Sequence, residues 1–467
     1  MSASAYPSKT FFVSMLTRDI ELKDAILDLL DNCVDGILRH QRIHPPKNKQ
    51  KPYESFWAKI TITDKIFSIE DNCGGIPKSI AEESAFRLGR ADLRQDKDIP
   101  TVGMYGIGMK RAIFKMGTKA RVTSRHKPYS YYVDILPSWL SNDEDWELPL
   151  TDTQDGLESD GTRIVVNELH ENISRQFVGK NFEKELREDI GRFFAVILMK
   201  GFTVFLNGTE VSLSDFRLLF HKDFDLPNQI QPYVYKAKIK DVSIEMVVGF
   251  YRELASTNEI EKEEEEEKDK PTRKSENAGW TVICNDRVVL YRDKSRLTGW
   301  GIRDVPKYHT QFIAVAGVVK FSSTNSLSLP LGTTKRNIDT NSDVYEKALD
   351  RMMDGLKQFT NFTNKWKGNE EGTADNFKKM ELAEPSDIVK SVKKWSKVRG
   401  SQEDEQKFVP DLPEPPRTTT KKRIAFYKPS SEIETLSEYF FGDPEVAPSE
   451  VGERSFDEAL SKARKSK

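Results

Sequence analysis

The sequence predicts an α/β fold, an α+β sandwich arranged as two globular units and a charged tail, and three observations carry that prediction. An amphipathic run, Asp19 to Arg39, is followed by two strand-like runs, the second of which ends in Asp71-Asn72-Cys73-Gly74-Gly75-Ile76. A glycine-rich turn, Gly103-Met104-Tyr105-Gly106-Ile107-Gly108, opens onto a helical stretch and then onto alternating strands. A second series of strand runs closes on a long helical segment, Tyr345 to Trp366. Alternation of these patterns indicates mixed layers of helix and sheet.

Each element has a local reason. In Asp19 to Arg39, Ile20, Ala25, Ile26, Leu29, Leu30, Val34 and Ile37 recur at helical spacing, and Asp28, Asn32 and Asp35 fall on a neighbouring stripe. Ala58 to Thr63 and Ile66 to Glu70 read as strands, placing Asp71 at a strand end with glycines behind it. Ser79 to Leu88 reads as a short helix, Gly89 to Thr101 as a polar loop, and Met109 to Met116 as a helix. Ala120 to Ser124, Ser130 to Leu136 and Thr162 to Val166 alternate as strands, Phe182 to Met199 is one patterned helix, and Phe202 to Leu206 enters a hairpin at Asn207-Gly208. The first unit therefore spans residues 1–211.

The second unit, 212–366, contains the runs Val234 to Ile239, Ile244 to Tyr251, Gly279 to Tyr291 and Phe312 to Phe321. An acidic run centred on Glu263 to Glu267 interrupts it, and such self-repelling sequence predicts a disordered insertion over about residues 257–278. Residues 367–467 are charged and include Pro410 to Pro416, which predicts a partly disordered tail with short helices.

Composition narrows the function classes. With 72 basic and 74 acidic residues the net charge is −2, so bulk attraction to nucleic acid or anionic membrane is not expected and any such contact needs a local patch. Cys33, Cys73 and Cys284 form no disulfide framework, and six scattered histidines offer no zinc-like spacing. No apolar run of about 18 residues occurs, so the sequence predicts a soluble, cytoplasmic protein without a membrane segment.

Taken in order, Asp28-Leu29-Leu30-Asp31-Asn32, Asp71 to Ile76 and Gly103 to Lys110 resemble the motifs of the GHKL ATPase superfamily, which includes gyrase-type topoisomerase subunits, histidine kinases, MutL proteins, the heat-shock chaperone of ninety kilodaltons and Morc proteins. The resemblance covers approximately the first 210 residues well and the next 150 loosely. It implies the Bergerat fold for the first unit, a transducer-like second unit, ATP as ligand, and Mg2+ as cofactor. Asn32 would hold the magnesium, an oxygen-seeking cation, and Asp28 would deprotonate the attacking water. The family usually has glutamate where Asp28 stands, and glycine where Cys73 stands.

The same resemblance makes Asp71 the acceptor of the adenine amino group, supported by Gly75 and Ile76, with Thr162 of Gly161-Thr162 reaching the base through water. Gly103, Met104, Tyr105, Gly106, Ile107, Gly108 and Met109 would present backbone N–H groups to the phosphates, with Lys110 adding a charge. Tyr105 and Lys110 tilt the resemblance toward Morc proteins. Gly89 to Thr101 would be the nucleotide lid, and Lys335, with Arg336 as the alternative carrier, would reach the terminal phosphate from the second unit. The implied function is an ATP-operated switch that forms a homodimer when ATP binds. Its work would be clamping DNA, with Lys110, Arg111, Lys115, Lys119, Arg121 and Arg125 as one basic cluster and Lys390, Lys393, Lys394, Lys397 and Arg399 around Trp395 as another. The alternatives are a chaperone clamp on a protein client, or a signalling or defence component whose tail, around Ile433 to Phe441, recruits an effector protein.

Overall fold

The computed structural model describes residues 8–87, 99–101, 103, 106–154, 156–224, 227–262, 277–332, 335–398, 404–415 and 424–465. Chain order begins with helix α1 (Lys9–Arg18), capped by the Ser8 side chain, which accepts from the Phe11 N–H at 3.2 Å. Helix α2 (Leu22–Ile43) follows, then strands β1 (Trp57–Ile62) and β2 (Phe67–Asp71). A short helix, α3 (Lys78–Ile80), runs into a π-helical turn over Ala81–Ala85. Helix α4 (Gly108–Met116) leads to β3 (Gly117–His126) and β4 (Tyr129–Ile135), and α5 (Pro137–Leu140) precedes β5 (Leu150–Asp152) and β6 (Gly161–Leu169). Helices α6 (Glu171–Phe177), α7 (Phe182–Phe193) and α8 (Ala195–Met199) come next, then β7 (Thr203–Leu206) and β8 (Thr209–Glu210).

These strands form one sheet in the order β5-β4-β3-β6-β2-β1-β7-β8, antiparallel except for the parallel pair β1 and β7. Along β1, Ala58, Ile60 and Ile62 are buried while Lys59 and Thr61 are exposed, so one sheet face is covered and the other faces water. The covering layer is α2, α4, α7 and α8, whose Ile26, Leu30, Ile113, Ile190 and Ile197 join Ile60, Phe67, Val122 and Val204 in one core. The stretch read as one helix, Phe182 to Met199, breaks at Phe194, where backbone φ is −107° and ψ is 10°.

The second sheet has the order β13-β12-β14-β11-β10-β17-β16, built from β10 (Tyr233–Ile239), β11 (Val242–Phe250), β12 (Gly279–Cys284), β13 (Arg287–Asp293), β14 (Val315–Ser322), β16 (Ser396–Lys397) and β17 (Asp404–Phe408). Strands β9 (Leu218–Phe220) and β15 (Glu381–Ala383) pair separately. The long helix Asp343–Trp366 buries Met352, Leu356, Phe359 and Phe362 in the core of this unit.

Three sequence expectations are corrected. The run Gly279 to Tyr291 is not one strand but a hairpin, because Asn285 and Asp286 both adopt positive φ (46° and 68°), the geometry that a two-residue hairpin turn requires and that these residue types tolerate. The tail expected from residue 367 returns to the second sheet: β17 pairs with β10, Glu405 accepts from the Tyr235 hydroxyl at 2.9 Å, and Ile388 is fully buried. Farther on, Ser430–Phe441 and Pro448–Lys465 are helices of 12 and 18 residues. Residues 257–262, expected to begin the disordered insertion, are helical. The rest of the acidic run, 263–276, lies outside the described residues, as do most of the expected lid, Met104 and Tyr105.

The β12–β13 hairpin reaches out of its own unit. Ile283 and Val288, with Val318 of β14, pack in the core of the first unit. At the hairpin tip Asp286 takes the Lys200 ammonium at 2.6 Å, the Lys320 ammonium at 2.7 Å and the Tyr53 hydroxyl at 3.0 Å. Burial works against this carboxylate, but Lys320 and Lys200 outweigh it and hold its pKa down at about 2. Because the folded value lies below the ordinary one, this stabilisation is present above about pH 4 and is lost as pH falls toward 2. The stability gap between wild type and Asp286→Asn is therefore expected to shrink by about 2 kcal/mol between pH 6 and pH 2 in urea titrations; a constant gap would contradict the assignment.

Candidate functional site

Helix α2 is the spine of the site. Its helical period turns Asp28, Asp31 and Asp35 inward, with Asp31 only 1% exposed, while Asn32 faces outward and is exposed. Buried carboxylates need cations or hydrogen bonds, and here both units supply them. Asp31 accepts from Arg287 Nε at 2.9 Å through one oxygen and from Lys335 Nζ at 2.9 Å through the other. Lys335 lies 3.3 Å from Asp28 as well, and the second oxygen of Asp28 is held by Arg111. Asp35 accepts from the Gly103 N–H at 2.9 Å.

Charge follows this geometry. Burial pushes against ionised Asp31, but Arg287 and Lys335 outweigh it and leave its pKa below the usual carboxylate range. Burial likewise opposes the Lys335 ammonium, and Asp31, Asp28 and Asp35 overcome it, raising its pKa. Arg336, the alternative carrier, points elsewhere: it pairs with Asp24 and lies over the Phe193 ring at 4.5 Å.

Asp71 sits half-buried where β2 ends. One oxygen accepts from the Cys73 N–H at 2.8 Å and the other from the Cys33 thiol at 3.6 Å, a weak donor that leaves acceptor capacity for a stronger one. Burial raises its pKa to about 6, against the hydrogen bonds from the Cys73 amide, the Cys33 thiol and the Thr162 amide. Thr162 is thereby beside Asp71, at the start of β6. A side chain at Gly161 would put its Cβ 2.0 Å from the Asp71 carbonyl oxygen, and one at Gly75 would meet the Arg125 carbonyl oxygen at the same distance. Both glycines allow backbones to touch. Ile76 is fixed at its N–H by Ser124 Oγ at 2.7 Å and at its carbonyl by the Tyr131 hydroxyl at 2.9 Å.

At the glycine turn, Gly106 has a φ of 64°, Ile107 caps α4, and Gly108 and Met109 form its first residues. A Cβ on Gly108 would stand 3.5 Å from the Asp28 Cβ, so the start of α4 abuts the middle of α2. The Lys110 ammonium donates to the Ala85 carbonyl at 2.8 Å and to the Gly106 carbonyl, tying the turn to the π-helical segment.

The structure thus gathers Asp28, Asn32, Asp71, Gly75, Thr162, Gly108 and Lys335 around α2, from segments spread over 300 residues. The residues fit an adenine nucleotide on two observations: Asp71 keeps acceptor capacity at a half-open strand end, and a left-handed glycine stands before the helix that faces Asp28. Between Asp28 and Asp35 on α2, Asn32 is the exposed polar residue, and its amide oxygen suits a cation shared with phosphate oxygens.

Sequence reasoning missed Arg287. It is 1% exposed, donates to the carbonyls of Phe193 (3.1 Å) and Val288 (2.7 Å) as well as to Asp31, and stacks on the Phe194 ring at 4.4 Å. The helix break at Phe194 is what frees the Phe193 carbonyl for it. Its one local mark in the sequence is a lone arginine between Asn285-Asp286 and the apolar run Val288 to Leu290, which does not by itself point to Asp31.

The first unit is a two-layer α/β sandwich with a candidate nucleotide site along α2. Residues 20–170, roughly a third of the chain, match the family described as Histidine kinase-, DNA gyrase B-, and HSP90-like ATPase. The match supports the GHKL superfamily for this segment, and with it ATP binding and a nucleotide-driven switch. Comparison with curated proteins finds no match. Among the described residues no helix is long and apolar enough to cross a membrane.

Proposed function

We propose that the chain is an ATP-binding, slowly ATP-hydrolysing switch of the Morc or MutL kind, which dimerises when ATP binds and clamps DNA. The single observation that carries this reading is Lys335: a cation from the second unit rests on Asp31 and Asp28, on the same α2 segment as Asn32. A phosphate bound at this point would compete with those carboxylates for the ammonium. Only a ligand with differential contacts can shift a conformational equilibrium, and a lysine that meets ATP but not ADP supplies one. Asn32 would hold magnesium, which supplies charge neutralisation of the phosphates when bound. Asp28 would accept the proton of the attacking water as the bond to the ADP oxygen breaks, Asp71 would accept from the adenine amino group, and the N–H groups from Gly106 to Met109 would face the phosphates.

The DNA reading draws on the second basic cluster rather than the first. Arg121 pairs with Asp134, Lys119 with Glu168 and Arg125 with Asp160, Lys115 donates to the Thr17 carbonyl, and Lys110 and Arg111 are engaged as above. Around Trp395, by contrast, Lys393 and Lys397 are exposed and the Lys236 ammonium lies 4.2 Å from the indole centre. One observation favours the effector reading as a second: Leu436, Tyr439 and Phe441 are exposed on the helix Ser430–Phe441.

Light scattering with ADP and with a non-hydrolysable ATP analogue tests the switch. Wild type is expected to dimerise only with the analogue, and Asp71→Asn to stay monomeric because it loses a carboxylate acceptor. An identical dimer population in every state would sink the proposal. DNA binding should weaken steeply with salt as counterions are released, and no binding at low salt with the analogue would remove the clamp.

A further inference from the structure

We propose that Arg111 is a phosphate-binding residue that holds Asp28 in the nucleotide-free state and passes to the terminal phosphate when ATP binds; this rests on the ATP-switch reading above. Arg111 lies in the first turn of α4, with its N–H on the Ile107 carbonyl at 2.9 Å. A cation there opposes the positive end of the helix dipole, so helix stability does not account for its position. Its side chain is 12% exposed and reaches Asp28 through one terminal nitrogen. Its Nε is buried without a hydrogen-bond partner. A guanidinium carries five donors in a fixed plane and suits paired acceptors, so a single aspartate oxygen leaves most of that capacity unused.

Asp28 is correspondingly overcommitted. Arg111 holds one oxygen and Lys335 stands 3.3 Å from the other, so the carboxylate is clamped between a cation from α4 and one from the second unit. Both oxygens of Asp28 thus face a cation before any ligand arrives. A phosphate arriving at the start of α4 offers the guanidinium two or three anionic oxygens in place of one, and the transfer frees Asp28.

Equilibrium affinities for ADP and for the non-hydrolysable ATP analogue, measured calorimetrically in wild type, Arg111→Met, Asp28→Asn and the double variant, test this. Arg111→Met is expected to weaken the analogue at least about tenfold while leaving ADP within about threefold, and the same loss should persist in the Asp28→Asn background. If Asp28→Asn abolishes the effect of Arg111→Met, or if ADP weakens as much as the analogue in a variant with wild-type melting, Arg111 acts only through Asp28 or the fold and the proposal is overturned. Wild type that binds neither nucleotide would sink the underlying reading instead.

Discussion

Arg287→Met is expected to destabilise the protein by about 3–5 kcal/mol, the effect of removing one partner from a fully buried ion pair. Asp31 would keep Lys335, but the oxygen now satisfied by Arg287 at 2.9 Å would be left bare, and the Phe193 carbonyl at the helix break would lose its donor. Arg287→Lys should recover little, because one ammonium cannot serve Asp31 and the carbonyls of Phe193 and Val288 from the fork that a guanidinium provides. Pairing Arg287→Met with Asp31→Asn should give a loss smaller than the sum of the two single changes. Guanidinium titrations read all of this, and a loss under about 1 kcal/mol would show that the pair is not what holds the hairpin to α2.

Asp28→Asn is expected to reduce ATP turnover by about 10²–10⁴-fold, the usual span for removing a general base. Affinity should move the other way. With the carboxylate gone, Arg111 and Lys335 lose a competitor, so the ATP analogue should bind several-fold more tightly while ADP changes little. Phosphate release and calorimetry on the same preparation separate the two effects. Unchanged turnover would remove Asp28 from the chemistry.

What could be read from sequence divides by the range of the interaction. The α2 stripe, the strand ending at Asp71 and the glycine turn before α4 are local patterns, and they lie where periodicity and turn chemistry put them. Lys335 is legible only through the family resemblance, since its partners Asp28 and Asp31 are some 300 residues away. Arg287 had no such guide. Its strand reads as apolar, and the turn that places it was hidden because Asn285-Asp286 lacks the glycine that usually marks a hairpin. The partners of Lys110 were hidden for another reason: the Ala85 carbonyl it meets is offered by a π-helical turn no periodicity announces. Strand β17, Asp404-Glu405-Gln406-Lys407-Phe408, is polar enough to pass for a linker and owes its conformation to the β10 backbone beside it.

The β12–β13 hairpin has a consequence for how the chain folds and can be divided. Ile283, Val288 and Val318 complete a core whose other members come from residues 20–211, and Arg287 neutralises a carboxylate that the first unit buries. A fragment ending at residue 211 would therefore expose an apolar socket and strand Asp31 without its guanidinium. In folding terms residues 1–211 are half of a cooperative unit rather than an autonomous one. Thermal unfolding of the whole chain should show the two sheets melting together, and any motion that separates the units must work around the hairpin instead of withdrawing it.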